Sequence, residues 1–386
     1  MRLPEFLAEK PLYYKEIDYE RFPKIWERYK SHFRLPKIIH IIGTNGKGST
    51  GRFLAHYLFK SGVHVGHYTS PHILKFNERI WIDGQNVDDA LLETHHEKLQ
   101  RLLSHEDSEA MSYFEYTTLL ALSVFQNLDF IVMEAGLGGE YDATAVFPKD
   151  LTIVTPIGID HESFLGDTLE KIAKTKLNAI HKFAILGKQE KAVYKIAREY
   201  SRKWGIEFFR YTYFYTKDEM ARARRVIRTL GLPSFFVENL LLGLAGAKFF
   251  GFEIKWSQME DVELFGRMQK ISDNITIDVG HNPLAAEAIV QSLRKKRIVL
   301  VYNSYNDKDY LKILEIFKPI LKRVEILPIY NQRIEEQSRL EESIAKLDIP
   351  YREFEGIEKD ETYLVFGSFA VAEEFLKHYA PEEHNR

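Results

Sequence analysis

Short apolar runs rich in β-branched residues alternate along this chain with longer amphipathic stretches. The first series predicts strands at KIIHII (residues 37–42), VHVGHYT (63–69), DFIVMEA (129–135), LTIVTPI (151–157) and FAIL (183–186). Helices are predicted between them near residues 47–61, 88–104, 112–127 and 168–180. Strands that are apolar almost throughout, with helices between, indicate a parallel sheet covered on both faces. A second series follows, with ITIDV (275–279), a helix from Pro283, RIVLVY (297–302), VEILPI (324–329) and TYLVF (362–366). The expected fold class is α/β, a mostly parallel-sheet domain followed by a smaller Rossmann-like α/β domain. A long apolar helix running to Gly251 and a polar stretch from Lys255 to Asp261 place the junction near 258, giving domains 1–258 and 259–386.

Composition narrows the class. The 386 residues carry a formal charge of −3 with both signs spread along the chain, so a basic surface for nucleic acid or membrane is not expected. There is no cysteine, which excludes disulfides, thiolate metal sites and cysteine catalysis. The N-terminal stretch lacks the unbroken apolar core of a signal peptide. The longest apolar run, Phe235 to Phe252, is interrupted by Glu238, Asn239 and Lys248. A cytoplasmic protein is expected.

The sharpest local signal is IIHIIGTNGKGSTGRFLAHYLFKSG. A strand ends at Ile42, a loop of Gly43, Thr44, Asn45, Gly46, Lys47, Gly48, Ser49 and Thr50 follows, and an amphipathic helix begins. Such a phosphate-binding loop (P-loop) curls its amides around phosphate oxygens and adds the positive end of the new helix. Lys47 would reach the outer phosphates, and the Ser49 hydroxyl would hold Mg²⁺. The order departs from G-x-x-x-x-G-K-[ST], because the lysine precedes Gly48 and the hydroxyl comes one residue later. Without a ligand the same stretch would be a plain strand-to-helix turn.

Magnesium prefers oxygen ligands, and these belong at the carboxyl ends of the strands beside that loop. Thr69, Ser70 and His72 follow the second strand, Glu134 ends the third, and Asp160, His161 and Glu162 follow the fourth. Taken singly, each reads equally as a capping or surface group.

The form G-T-N-G-K-G-[ST] resembles the central-domain loop of ATP-dependent amide ligases, the Mur-ligase superfamily. TSPHILKFNERIWIDG (69–84) resembles a segment that sets the folylpolyglutamate and dihydrofolate synthases apart from other Mur-like ligases. MEAGLGGEYDAT (133–144) and TPIGIDHESFLGDTLEKIAKTK (155–176) resemble two further motifs of that family. The resemblance implies metal ligands at Ser49, Ser70, Glu134 and His161, and a carbamylated lysine at Lys176. Two departures stand out, Thr175 where the family has Glu and Glu140 where it has Arg. Taken without the family, Lys176 is one lysine of the run Lys171, Lys174, Lys176.

In the second half, DVGHNP (278–283), the Glu238-Asn239 pair and FGR (265–267) resemble family motifs that contact ATP, implicating Asp278, His281, Asn239 and Arg267. DKD (307–309) and GSF (367–369) match two later ones. The function implied is ATP-driven amide formation between L-glutamate and dihydropteroate or a reduced folate, through an acyl phosphate, by a monomer. Lys47, His161, Lys176 and Arg267 would carry the chemistry. Two alternatives stay open. One is another Mur-type amino-acid ligase, disfavoured because 42 residues before Gly43 are too few for a UDP-sugar domain. The other is a non-catalytic P-loop regulator, which would not need the metal set or the second-domain His and Arg.

Overall fold

The computed structural model describes residues 1–11, 18–160, 162–293 and 296–379. Two compact units are present. The first comprises Met1–Val226 and Val237–Val262, and the second Ile227–Phe236 with the chain from Glu263 on.

The first unit is built on β1 (Lys37–Ile42), β2 (Val65–Tyr68), β3 (Ile80–Ile82), β4 (Gln85–Asn86), β5 (Phe130–Glu134), β6 (Leu151–Val154), β7 (Phe183–Leu186) and β8 (Glu207–Arg210). Their order across the sheet is β4-β3-β2-β5-β1-β6-β7-β8. All pairs are parallel except β2 with β3 and β3 with β4. Periodicity predicts the five inner strands and misses the short antiparallel edge and β8. Only three residues of IWIDG pair as β3, too few to register as an alternating run.

Register positions the site. Ile41 lies opposite Glu134, Tyr68 opposite Met133, and Ile42 opposite Val154. Thr69, Glu134, Gly43 and Thr155 therefore leave adjacent strands at one sheet edge. Beneath them, Ile39, Ile41, Ile42, Ile131, Val132, Ile153 and Val154 are buried, as residues inward on both faces of a covered sheet must be.

The helix Lys47–Lys60 packs against the helix Phe236–Phe249. A Cβ at Gly243 would lie 2.7 Å from the Thr50 carbonyl oxygen, so only glycine allows this approach. Gly243→Val is expected to cost about 1–3 kcal/mol through overpacking. Calorimetry should read this as a lower Tm, and an unchanged Tm would contradict the contact.

The second unit holds β9 (Gln269–Lys270), β10 (Ile275–Ile277), β11 (Ile298–Tyr302), β12 (Leu321–Ile326), β13 (Tyr351–Glu353) and β14 (Tyr363–Phe366), in the order β13-β12-β11-β14-β10-β9. All its pairs are parallel except β10 with β9. Strand β12 begins three residues earlier than VEILPI suggests, because Lys322 and Arg323 mix charge into the run while Leu321 and Arg323 pair with β11 across a register shift at Lys322. It ends before Pro328, which has no N–H to donate.

The chain does not divide at one point. Residues 227–236, which the sequence pattern assigns to the first domain, group with the second unit. Here the chain turns at Gly231, with Leu232 N–H bonded to Ile227 O and Phe236 N–H to Pro233 O. Periodicity reports helices on either side of such a turn but not the unit it joins. Among the described residues no helix is long and apolar enough to cross a membrane.

Candidate active site

The phosphate loop is held open by its neighbours. Gly46, at φ +83°, precedes the first residue of the helix Lys47–Lys60, a conformation that favours glycine. The amides of Thr44 and Asn45 donate to Pro156 O at 3.0 and 3.4 Å. Thr44 Oγ1 donates to Gly158 O and accepts from Gly158 N–H, both at 3.0 Å. Lys47 Nζ turns back on its own loop, 3.3 Å from the carbonyls of Gly43 and Thr44. Bonds of that length are readily exchanged for phosphate oxygens. Asn239 joins the loop from the helix Phe236–Phe249, its amide so close that a Cβ on Gly46 would sit 2.9 Å from Asn239 Oδ1. The Gly243 contact, one helical turn further on, sets that approach.

Oxygen donors gather on the next strands. Ser49 Oγ is buried without a hydrogen-bond partner. Glu134 is buried at the end of β5, and Thr69 Oγ1 donates to its carboxylate. Ser70 follows Thr69 and is half-buried. An orphaned buried hydroxyl beside a strand-end carboxylate suits a hard, oxygen-seeking cation, so these residues fit Mg²⁺. His161 lies outside the described residues. Among the described residues no cluster of three or more His, Asp and Glu side chains forms a ready metal site.

Lys176, in the helix Leu169–Leu177, is buried, and its Nζ donates to Gly43 O at 2.9 Å. Burial first, and then the charge of Lys47, bring its pKa down to about 7. An amine that is neutral near physiological pH is the form able to add CO₂. The two departures from the family lie beside it. Thr175 Oγ1 donates to Lys171 O, and its carbonyl accepts from Glu140 N–H at 2.9 Å. Glu140 accepts from Asn178 Nδ2 at 2.6 Å, and Asn178 in turn accepts from Tyr200 OH. Glu140 is thus engaged in a side-chain chain on the outer side of the helix.

Asp142 does not stand out in the sequence, yet it organises the loop after β5. Its carboxylate accepts from Leu137 N–H, Thr144 N–H and Thr144 Oγ1. Burial holds its carboxyl above the usual range, and these bonds oppose that rise. Because the Thr144 proton goes to Asp142, His40 Nε2 at 2.7 Å donates to Thr144. Asp two residues before Thr is an Asx-turn spacing, and its place in MEAGLGGEYDAT is a second signal that could have found it.

In the second unit, three short motifs converge. Val279 N–H donates to Gly266 O, and Gly367 N–H donates to Gly280 O, which ties FGR, DVGHNP and GSF together. Asp278 is buried and accepts from the amides of Met268 and Gly280 at 2.9 and 2.8 Å. Burial raises its carboxyl, while the nearby Arg267 charge pulls it back. The Arg267 guanidinium lies 5.3 Å from the Phe369 ring centroid. His281 Nδ1 donates to Val279 O at 3.2 Å, and Asn282 Oδ1 caps the helix Pro283–Leu293 by accepting from Ala285 N–H. Of the DKD residues, Asp309 caps the helix Tyr310–Phe317 and Lys308 is buried.

A parallel sheet with a phosphate loop, an oxygen-donor set at the same edge and a second parallel α/β unit define an ATP-dependent ligase of Mur-type architecture. No protein-family model matches the chain. It is 31% identical to the dihydrofolate synthase/folylpolyglutamate synthase of Escherichia coli (strain K12) over 319 residues, covering 77% of this chain and 74% of that protein. The Haemophilus influenzae protein of the same name is 28% identical over 414 residues, with 94% of each chain covered. The crystal structure of Helicobacter pylori folylpolyglutamate synthetase is 38% identical, with a TM-score of 0.78 and 97% of each chain covered. An Escherichia coli structure in complex with DHPP and ADP is 25% identical, with a TM-score of 0.82 and 98% and 97% of the chains covered. The chain belongs to the folylpolyglutamate synthase/dihydrofolate synthase family.

Proposed function

We propose that this chain joins the α-amine of L-glutamate to the carboxylate of a dihydropteroate or a reduced folate, converting ATP to ADP and phosphate. The observation that carries this reading is the row of strand ends, where Thr69, Glu134, the loop from Gly43 and Thr155 emerge side by side. A carboxylate resists amines because its carbonyl is resonance-stabilised and oxide is a poor leaving group. Attack of a carboxylate oxygen on the γ-phosphorus releases ADP and gives an acyl phosphate. Attack of the free amine on that carbonyl forms the amide, expels phosphate and releases one proton.

The chain's contribution is positioning and charge neutralisation. The amides of Gly43 to Thr50 cradle the phosphates, and Lys47 exchanges its two carbonyl bonds for phosphate oxygens. Asn239 borders the nucleotide from beside Gly46. Ser49, Ser70 and Glu134 would hold Mg²⁺, with His161 joining them by resemblance. The metal would supply charge neutralisation on the β- and γ-phosphates. Carbamylation would convert Lys176 from a cation into an anionic oxygen donor. By resemblance to the family motifs, Arg267, Asp278 and His281 of the second unit are ATP-contacting residues, with Arg267 offsetting charge on the transferred phosphoryl group.

The test is a product assay with dihydropteroate or tetrahydrofolate, L-glutamate, ATP and Mg²⁺. One ADP and one phosphate are expected for each amide formed, and only when acid and amine are both present. AMP as the nucleotide product would overturn the acyl-phosphate route. Comparing turnover on the two acids in one assay separates the two synthase activities.

A further inference from the structure

We infer that Arg79 is a binding residue for a carboxylate of the acid substrate, a role that rests on the folate-type ligase reading above. Arg79 belongs to the NERI stretch of TSPHILKFNERIWIDG, the segment that marks the folate-type synthases, yet neither the phosphate loop nor the metal set uses it.

Its surroundings are unusual for a cation. The residue is only 8% exposed. Its Nε donates to His72 Nδ1 at 2.8 Å, a neutral acceptor. The guanidinium lies 5.3 Å from the ring centroid of Tyr113 and 5.9 Å from that of Phe76. Among the described residues it forms no ion pair, and its two terminal nitrogens have no hydrogen-bond partner. Aromatic faces offset part of the cost of withdrawing a cation from water but do not replace a counter-ion. Elsewhere in this unit the largely buried Arg21 does find one, in Glu115. The free N–H groups of Arg79 form the planar fork that grips a carboxylate with two parallel bonds.

Its position matches the chemistry. Arg79 O accepts from Thr69 N–H at 3.0 Å, and Thr69 Oγ1 donates to the Glu134 carboxylate. The Arg79 main chain is thus fixed to the segment that borders the oxygen-donor set. Tyr113 precedes Phe114, whose ring packs so closely on Gly136 that a Cβ there would lie 2.6 Å from it. A carboxylate held by Arg79 would have aromatic walls for its attached ring and the Thr69–Glu134 pair within the same loop cluster.

The experiment compares wild type with Arg79→Gln and Arg79→Lys. KM is measured for dihydropteroate, for tetrahydrofolate and for ATP, and pteroate binding is measured by calorimetry without turnover. Arg79→Gln is expected to raise the acid KM and Kd about 10- to 100-fold, the loss of a charge-assisted pair, with the ATP KM within about threefold. Arg79→Lys should recover part of the affinity, because it keeps the charge and loses the fork. An equal rise for both acids assigns the contact to the reacting carboxylate that each presents, the benzoate of dihydropteroate and the γ-carboxylate of tetrahydrofolate. A rise for the glutamylated acid alone assigns it to the additional one. Unchanged acid affinity, or a parallel rise in the ATP KM, would overturn the inference. Absence of turnover by wild type on either acid would instead overturn the functional reading, and the calorimetric comparison would still decide the role of Arg79.

Discussion

Replacing Lys176 with alanine is expected to lower kcat about 10²- to 10³-fold while the fold survives. The side chain is buried against the Gly43 carbonyl, which Lys47 Nζ also approaches at 3.3 Å. Its truncation leaves a pocket of roughly the size of a short carboxylic acid. Millimolar acetate should therefore restore part of the activity by supplying the missing anionic oxygen. Glutamine at 176 should not respond to acetate, since it fills the pocket. If Lys176 served only as a buried amine, neither acetate nor bicarbonate would change the rate. The pH dependence has a definite sign. Burial brings the Lys176 pKa down to about 7, so the neutral amine is the minor form below that pH and the major form above it. Carbamate formation consumes the neutral amine. At a fixed concentration of dissolved CO₂, activation of decarbonated enzyme should therefore quicken as pH rises from about 6 to 8. Slower activation over the same interval would contradict a carbamate at this position.

The second large effect is expected at Glu134. Glu134→Gln keeps the volume and the bond from Thr69 but removes the charge. It should raise the Mg²⁺ concentration for half-maximal activity about 10- to 100-fold. Titration of activity against free Mg²⁺ at saturating ATP checks this, and saturating metal should return much of kcat. Thr69→Val, which removes the hydroxyl bonded to Glu134, should shift the titration in the same direction and by less. A Glu134→Gln enzyme with the wild-type metal requirement would remove this carboxylate from the ligand set.

The parts of this molecule that were legible in sequence are those with strong periodicity or strong local chemistry. The strands KIIHII and FAIL occupy the residues that apolar runs indicate, and the loop helix begins at Lys47, directly after Gly46 with its positive φ. Pairing partners were less accessible. Nothing in IWIDG announces an antiparallel edge, and nothing near Gly231 announces that ten residues change units. Site residues fall into the same two groups. Glu134 and Lys47 stand at strand and helix ends, where chemistry is expected. Asp142 acts through bonds to amides two and five residues away, and Arg79 is distinguished by a partner it lacks, which only packing reveals. Asn239 reaches the loop from a helix nearly two hundred residues downstream, a proximity set by the glycine contact at 243.

The level strand ends of the first unit have a consequence for how the site responds to change. Each of its loops is anchored in its own strand and handed to its own connection, so an alteration in one segment reaches the next mainly through a few discrete links. Thr69 with Glu134, Thr44 with Gly158 and Lys176 with Gly43 are three such links. The centre behaves as a small circuit of separable couplings, so drift in the wording of one loop, such as Thr175 or Glu140, can be absorbed locally without resetting the others.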